Sequence, residues 1–217
     1  VGKKVLAAAA ENLTPVTLEL GGKSPCIVDA SADLRLAARR IMWGKILNCG
    51  QTCVAPDYVL VQRSVKDAFV EQCRVALEGF LGVNPLASPD YGRIVNKAHY
   101  QRLLGLLKDC RILFGRETDA KALRLSPTLV DEPSLDLPVM REEIFGPILP
   151  VLPFDTLEQA VKIVQKNSHP LAAYFFARDK HMLHQMQNAF SYGGCCINDT
   201  VLHLASPYLP FGGVGKS

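Results

Sequence analysis

Short apolar runs alternate along the chain with longer amphipathic stretches. Cys26-Ile27-Val28, Tyr58 to Val61 and Leu171 to Ala177 are compact apolar runs of strand length. Asp33 to Leu47, Ser64 to Leu81, Lys97 to Lys108 and Lys180 to Phe190 place apolar residues three and four apart, the period of a helix with one buried face. Ser31 or Asp33 caps the first of these, and Asn48 and Gly50 end it. Ala-rich Lys3 to Asn12 reads as a further helix. Val16 to Leu20 alternates, so it reads as a strand with Val16, Leu18 and Leu20 on one face. Glu19 then points to the other face at the strand's end, just before Gly21-Gly22. Arg111 to Phe114, Thr128 to Val130 and Cys195 to Asn198 are short strands, and Pro147 to Phe154 is an extended segment broken by prolines. Thr156-Leu157-Glu158-Gln159 has the form of a capping box and opens a helix running to about Lys166. The order of elements predicts an α/β fold with a mostly parallel sheet flanked by helices.

Composition narrows the class. Of 217 residues, 48% are hydrophobic and 21% charged, which suits a soluble globular protein with a substantial core. A net charge of +3, evenly mixed, gives no basis for a nucleic-acid partner, and Arg39-Arg40 falls on a solvated helix face. The seven cysteines show no disulfide spacing, so a reducing, cytoplasmic setting is expected. No apolar run reaches the length of a membrane span, and no signal peptide is visible. The chain opens on Val1 with a helix under way and stops at Lys216-Ser217 in a Gly-rich stretch, so both ends read as positions inside a longer protein.

The candidate chemistry centres on Cys53, at the end of Gly50-Gln51-Thr52-Cys53, and on Glu19. A thiol can attack a carbonyl, and a nearby carboxylate can activate water to release the acyl group. Composition alone leaves Cys53 open between a buried core thiol and a nucleophile. The preceding helix end counts against an activated thiol, because its partial negative charge raises a thiol's pKa. Glu19 is open between a solvated strand residue and a site residue at the carboxyl edge of a sheet, where α/β folds place ligands. Glu143 could bond ribose hydroxyls and Phe145 could back a flat heterocycle, or the two could form an ordinary turn. No metal site is expected: Cys49 and Cys53 lack a completing pair, Cys195 and Cys196 face opposite ways, and His181 and His184 lack partners.

Four motifs occur in order: Leu18-Glu19-Leu20-Gly21-Gly22-Lys23-Ser24-Pro25, Gly50-Gln51-Thr52-Cys53, Glu143-Ile144-Phe145-Gly146-Pro147 and Pro210-Phe211-Gly212-Gly213-Val214-Gly215. With them the chain closely resembles the aldehyde dehydrogenase superfamily over essentially its whole length, and the class 3 branch in particular. The resemblance implies a catalytic-domain fragment. Residues 1–22 would be the edge of a Rossmann-like cofactor-binding domain, 23–205 the catalytic domain and 206–217 a Gly-rich loop leading back toward the cofactor domain. The rest of the cofactor domain and the family's C-terminal tail have no counterpart in the chain.

It also implies roles. Cys53 would be the nucleophile and Glu19 the general base. Glu143 would bond the nicotinamide ribose, Phe145 would pack beside the nicotinamide, and the Leu20 carbonyl would hold the carboxamide. Gly2 would open the helix beside the pyrophosphate. An aldehyde would become a carboxylic acid through a thiohemiacetal and a thioester on Cys53, with NAD or NADP as oxidant. Medium or long aliphatic and aromatic aldehydes are the implied substrates, with Leu202, His203 and Leu204 either lining their tunnel or packing in the core. The full-length protein would be a homodimer, and the fragment alone would not turn over aldehyde. Two other readings stay open: a cofactor-free thiol esterase, and a non-catalytic structural module.

Overall fold

The computed structural model describes residues 1–167 and 169–217. Its centre is a seven-stranded sheet built from β1 (Pro25–Val28), β2 (Tyr58–Gln62), β3 (Arg111–Phe114), β6 (Thr128–Asp131), β7 (Ile148–Phe154), β8 (Ala172–Phe176) and β9 (Gly194–Ile197). The strands lie in the order β3-β6-β7-β2-β1-β8-β9. β3 runs antiparallel to β6, and the pairings β6–β7, β7–β2, β2–β1, β1–β8 and β8–β9 are parallel. This is the expected α/β fold. β1 and β8 are buried at every position, because helices cover both faces of a parallel sheet. The helices are α1 (Gly2–Ala10), α2 (Leu34–Ile46), α3 (Lys66–Leu81), α4 (Lys97–Leu106), α5 (Pro138–Arg141), α6 (Leu157–Gln165) and α7 (Lys180–Asn188). α2 packs along α3, burying Ala37, Ala38, Ile41 and Met42 against a face that carries Phe69, Cys73 and Leu77. Asp33 caps α2 by accepting the Leu36 N–H at 3.1 Å. Among the described residues no helix is long and apolar enough to cross a membrane.

Several local expectations change. Val16 to Leu20 joins no sheet. Alternation marks a face, but a strand also needs a partner's backbone groups, and among the described residues it pairs with none. Its leucines cover the start of α1 instead, with Leu18 and Leu20 both 3.1 Å from where a Cβ on Gly2 would stand. Pro147 to Phe154 is not broken: β7 runs unbroken for 7 residues through Pro150 and Pro153, each of which gives up one ladder donor. In the expected capping box, Gln159 accepts from the Asp155 N–H at 2.8 Å, and the Thr156 side chain makes no cap bond. The one-turn α5 and the small hairpin β4 (Thr118–Asp119) with β5 (Arg124–Leu125) carry too few residues to show a period.

The largest correction concerns where the candidate residues sit. Glu19 does not stand at the carboxyl edge of a strand. It lies instead in the segment that enters β1, while Cys53 precedes β2 and Glu143 and Phe145 precede β7. These strands are parallel, so all four residues collect at the amino edge of the sheet.

Candidate active site

The cysteine loop starts where α2 ends. Asn48, Cys49 and Gly50 follow with φ of 49°, 55° and 70°, three successive left-handed residues that turn the chain sharply. Gly50 is required there by contact as well, since a Cβ would collide with the Gly146 carbonyl. Gln51 staples the loop outward: its Nε2 donates to the Asn48 carbonyl (3.0 Å) and the Arg93 carbonyl (3.1 Å), and its Oε1 accepts the Val95 N–H (2.9 Å). A turn closed by Ala55 N–H to the Thr52 carbonyl (3.1 Å) carries Cys53 at its corner. From below, the Tyr174 hydroxyl of β8 donates to the Val54 carbonyl at 2.6 Å.

Three segments meet at Gly21, whose φ is 90°. A Cβ on Gly21 would stand 2.7 Å from Glu143 Oε1 and 3.3 Å from Cys53 Cβ, so only a bare backbone fits between them. The Gly22 N–H donates to Glu143 Oε1 at 3.3 Å. Glu19 lies against the Cys53 thiol. Burial first, and then the Glu19 carboxylate, push that thiol up to about 11, against the pull of its own backbone N–H. Burial also pushes Glu143 up to about 7, opposed by the Gly22 N–H. Phe145, half-buried at φ 50°, stacks on His99 with ring centroids 6.2 Å apart.

Beneath these groups runs a buried polar network. The Lys23 ammonium pairs with Asp57, both side chains only 4% exposed, and donates to the Val139 carbonyl (2.9 Å) and the Glu142 carbonyl (2.7 Å). Asp57 Oδ2 accepts the Ile144 N–H at 2.9 Å. Lys45, lowered to about 8 by burial, donates to the Pro56 carbonyl at 2.8 Å.

The structure therefore brings Cys53, Glu19 and Glu143 together, with Phe145 at the margin. Leu20 stands 45% exposed beside them. Gly2 is apart: it lies buried under Leu18 and Leu20. His203 reaches the cysteine loop indirectly. Its ring tilts against Tyr174 at 6.0 Å and its Nδ1 lies 3.4 Å from Cys196 Sγ, while Leu202 is exposed. Sequence reasoning missed Lys23, Asp57, Lys45, Gln51, His99 and Arg102. A signal existed for Lys23 and Asp57. Each stands a residue or two before a wholly apolar run, where a buried charge has to find a partner.

Chemically, the arrangement offers a protonated thiol beside a carboxylate, and next to both a second carboxyl poised near neutrality. Glu143 Oε2 has no hydrogen-bond donor among the described residues. A diol such as a ribose fits that free oxygen, and the adjoining Phe145 ring fits a flat heterocycle, so these residues suit a nicotinamide nucleotide.

Comparison with known proteins gives a consistent picture. Residues 1–217 match the model of the aldehyde dehydrogenase family. The 4,4'-diaponeurosporen-aldehyde dehydrogenase of Staphylococcus aureus is 50% identical over 219 residues, covering 100% of this chain and 48% of that protein. The dimeric NADP-preferring aldehyde dehydrogenase of Rattus norvegicus is 46% identical, covering 100% of this chain and 48% of that protein. A substrate-bound Staphylococcus aureus AldH structure superposes with a TM-score of 0.95 at 50% identity, covering 99% of this chain and 47% of that one. The chain thus spans about half the length of the curated relatives it matches.

Two outcomes follow from the network. Lys23→Met leaves Asp57 buried without its cation and should cost about 3–5 kcal/mol in urea unfolding; a loss near zero would show that the pair holds nothing. Glu143→Gln should raise the thermal midpoint more at pH 8 than at pH 5. With a folded value of about 7, the folded wild type carries a costly buried charge only above that pH. Equal midpoint gains at both pH values would contradict this.

Proposed function

The chain belongs to the aldehyde dehydrogenase family, and from that premise we propose that the whole protein oxidises an aldehyde to a carboxylic acid with NAD or NADP. The observation that carries this reading is the meeting of Cys53 and Glu143 at the bare backbone of Gly21, with Glu19 against the Cys53 thiol. Cys53 is the nucleophile. Its thiol gives up a proton to solvent, Sγ bonds to the aldehyde carbon, and the carbonyl electron pair moves onto oxygen, where the Cys53 N–H can donate to it. A nicotinamide bound beside Glu143 and Phe145 would supply a hydride acceptor for the aldehyde carbon held on Cys53. The carbon is left as a thioester on Cys53. Glu19 then removes a proton from water, hydroxide adds to the thioester carbon, and the C–S bond breaks to release acid and regenerate the thiol.

The remaining residues bind and orient. Glu143 holds the ribose hydroxyls, the Leu20 carbonyl meets the carboxamide, and Phe145 backs the ring. Gly2 marks the start of the helix next to the pyrophosphate, on a part of the chain where Val1, Val5, Leu6 and Leu13 are exposed. That exposure supports residues 1–22 and 206–217 as edges of a cofactor domain around the catalytic 23–205. A homodimer is supported by the rat relative, described as dimeric, and a cytoplasmic setting by the seven cysteines, all free. Names of relatives as NADP-preferring and structures carrying NAD+ support both nucleotides.

Mutation of the pair separates their roles. Cys53→Ala should abolish aldehyde-dependent reduction of NAD or NADP by the full-length protein. Glu19→Gln should have opposite effects on two readouts. Without the adjoining negative charge, Cys53 should react several-fold faster with iodoacetamide at pH 7, while steady-state turnover falls by roughly 10²–10⁴ as water activation is lost. Unchanged turnover in Glu19→Gln would remove it as the base. Ester cleavage by wild type with no aldehyde oxidation would favour the esterase reading instead.

A further inference from the structure

We infer that His99 is a positioning residue that sets the Glu143–Gly146 strap, and through it the nucleotide affinity of the site. The inference rests on the function proposed above for Glu143 and Phe145. It starts from the strap's own conformation. Phe145 has φ 50°, an unfavourable region for a bulky aromatic, so neighbours have to hold it there. Besides Asp57 and Lys23 at its base, groups on α4 meet it.

Residues 99, 102 and 103 are three and four apart and share one face of α4. All three meet the strap. The His99 ring stacks on Phe145, centroids 6.2 Å apart and planes 23° from parallel. The Arg102 guanidinium donates to the Glu143 carbonyl at 3.3 Å and to the Ile144 carbonyl. Leu103 packs directly on Gly146. The Ile144 N–H is held from the opposite side by Asp57 at 2.9 Å, so the strained residue is fixed at its base by two charged groups and over its ring by one imidazole.

His99 also organises Arg102. Arg102 Nε donates to His99 Nδ1 at 3.1 Å, which places a lone pair on Nδ1 and the imidazole proton on Nε2. The Asn96 cap locks the backbone beneath, accepting the His99 N–H at 2.8 Å. A neutral ring is therefore needed for the acceptor role. Burial, and then Arg102, lower the His99 pKa below its ordinary value. The charged groups around it are Arg102 on α4, Glu142 and Glu143 on the strap, and Arg93 across the adjoining cleft formed with Asn48, Gln51, Val95 and Phe145. Docking is complete above the ordinary imidazole range. It is lost as pH falls and His99 takes a second proton, because the acceptor disappears and the ring becomes a cation facing Arg102.

The test uses the full-length protein. In His99→Ala, hydrogen–deuterium exchange at residues 142–146 should speed up roughly tenfold without nucleotide, as the strap opens more often. The dissociation constants of NAD+ and NADP+ by equilibrium dialysis should rise about tenfold, the loss of one stack and one hydrogen bond. The kcat for aldehyde at saturating nucleotide should stay within about twofold, because the acting groups Cys53 and Glu19 are untouched. His99→Phe keeps a stacking ring but no acceptor, so it should be intermediate in exchange and should lack the wild-type loosening of the strap as pH falls below the ordinary imidazole range. Glu143 titrates in both proteins and cancels in that difference. Unchanged strap exchange in His99→Ala overturns the inference, as does a kcat that falls as much as the affinity. A wild type that binds neither nucleotide sinks the function proposed above, while strap exchange still decides the role of His99.

Discussion

A single buried ion pair ties the site to the fold. Lys23 stands just before β1 and Asp57 just before β2, and between them they hold three backbone groups of the segment that leads into β7. Neither charge would be tolerated alone at 4% exposure. Each is acceptable only when the other loop, and the Val139–Ile144 segment, are in place. Assembly of the three loops at the sheet's amino edge is thereby coupled to burial of the pair. An apolar pair of the same volume could match it in stability, but it would leave the Val139 and Glu142 carbonyls and the Ile144 N–H without partners. It would also leave the strap without a fixed position.

That anchoring explains how two strained stretches coexist. Asn48 and Cys49 on one side, and Phe145 on the other, hold left-handed φ values of 49°, 55° and 50°. Residues of this kind cost on the order of 1–3 kcal/mol each and persist only where surroundings over-determine them. Here the stretches brace one another, the Gly50 backbone lying on the Gly146 carbonyl. Gln51 ties the first to the Arg93–Val95 segment, and Arg102 ties the second to α4. The strain is thus spent on bringing a thiol and a carboxyl to the same glycine.

The readable part of this design was its periodic part. Apolar period gave α2, α3 and the buried β1, β2 and β8 to within a residue or two, because burial on both faces leaves an unmistakable run. Cys53, Glu19, Glu143 and Phe145 stood out because chemistry-bearing side chains next to glycines are conspicuous. What the sequence hid depends on partners distant in the chain. Val16 to Leu20 has the alternation of a strand, yet among the described residues it joins no sheet and its leucines lie over Gly2. β7 looked broken because Pro150 and Pro153 mask a strand held by both neighbours. His99 and Arg102 belong to an ordinary amphipathic helix, and only its position against the strap gives them a task.

The placement of the site at the amino edge has a further electrostatic result. Helices that feed parallel strands end at that edge, so the partial charge presented to Cys53 by α2 is negative. Burial and Glu19 act in the same direction, and the thiol rests near 11. The neighbouring cations cannot reverse this, because Lys23 is committed to Asp57 and Lys45 to the Pro56 carbonyl. A thiol so protected is a poor nucleophile toward chance electrophiles. On the function proposed above, a positive charge would favour the thiolate, and a cationic nicotinamide would enter beside the Phe145 ring at Glu143 Oε2, which has no donor among the described residues. Burial and Glu19 hold the thiol protonated, and on that proposed function a cationic oxidant would both favour the thiolate and receive the electrons.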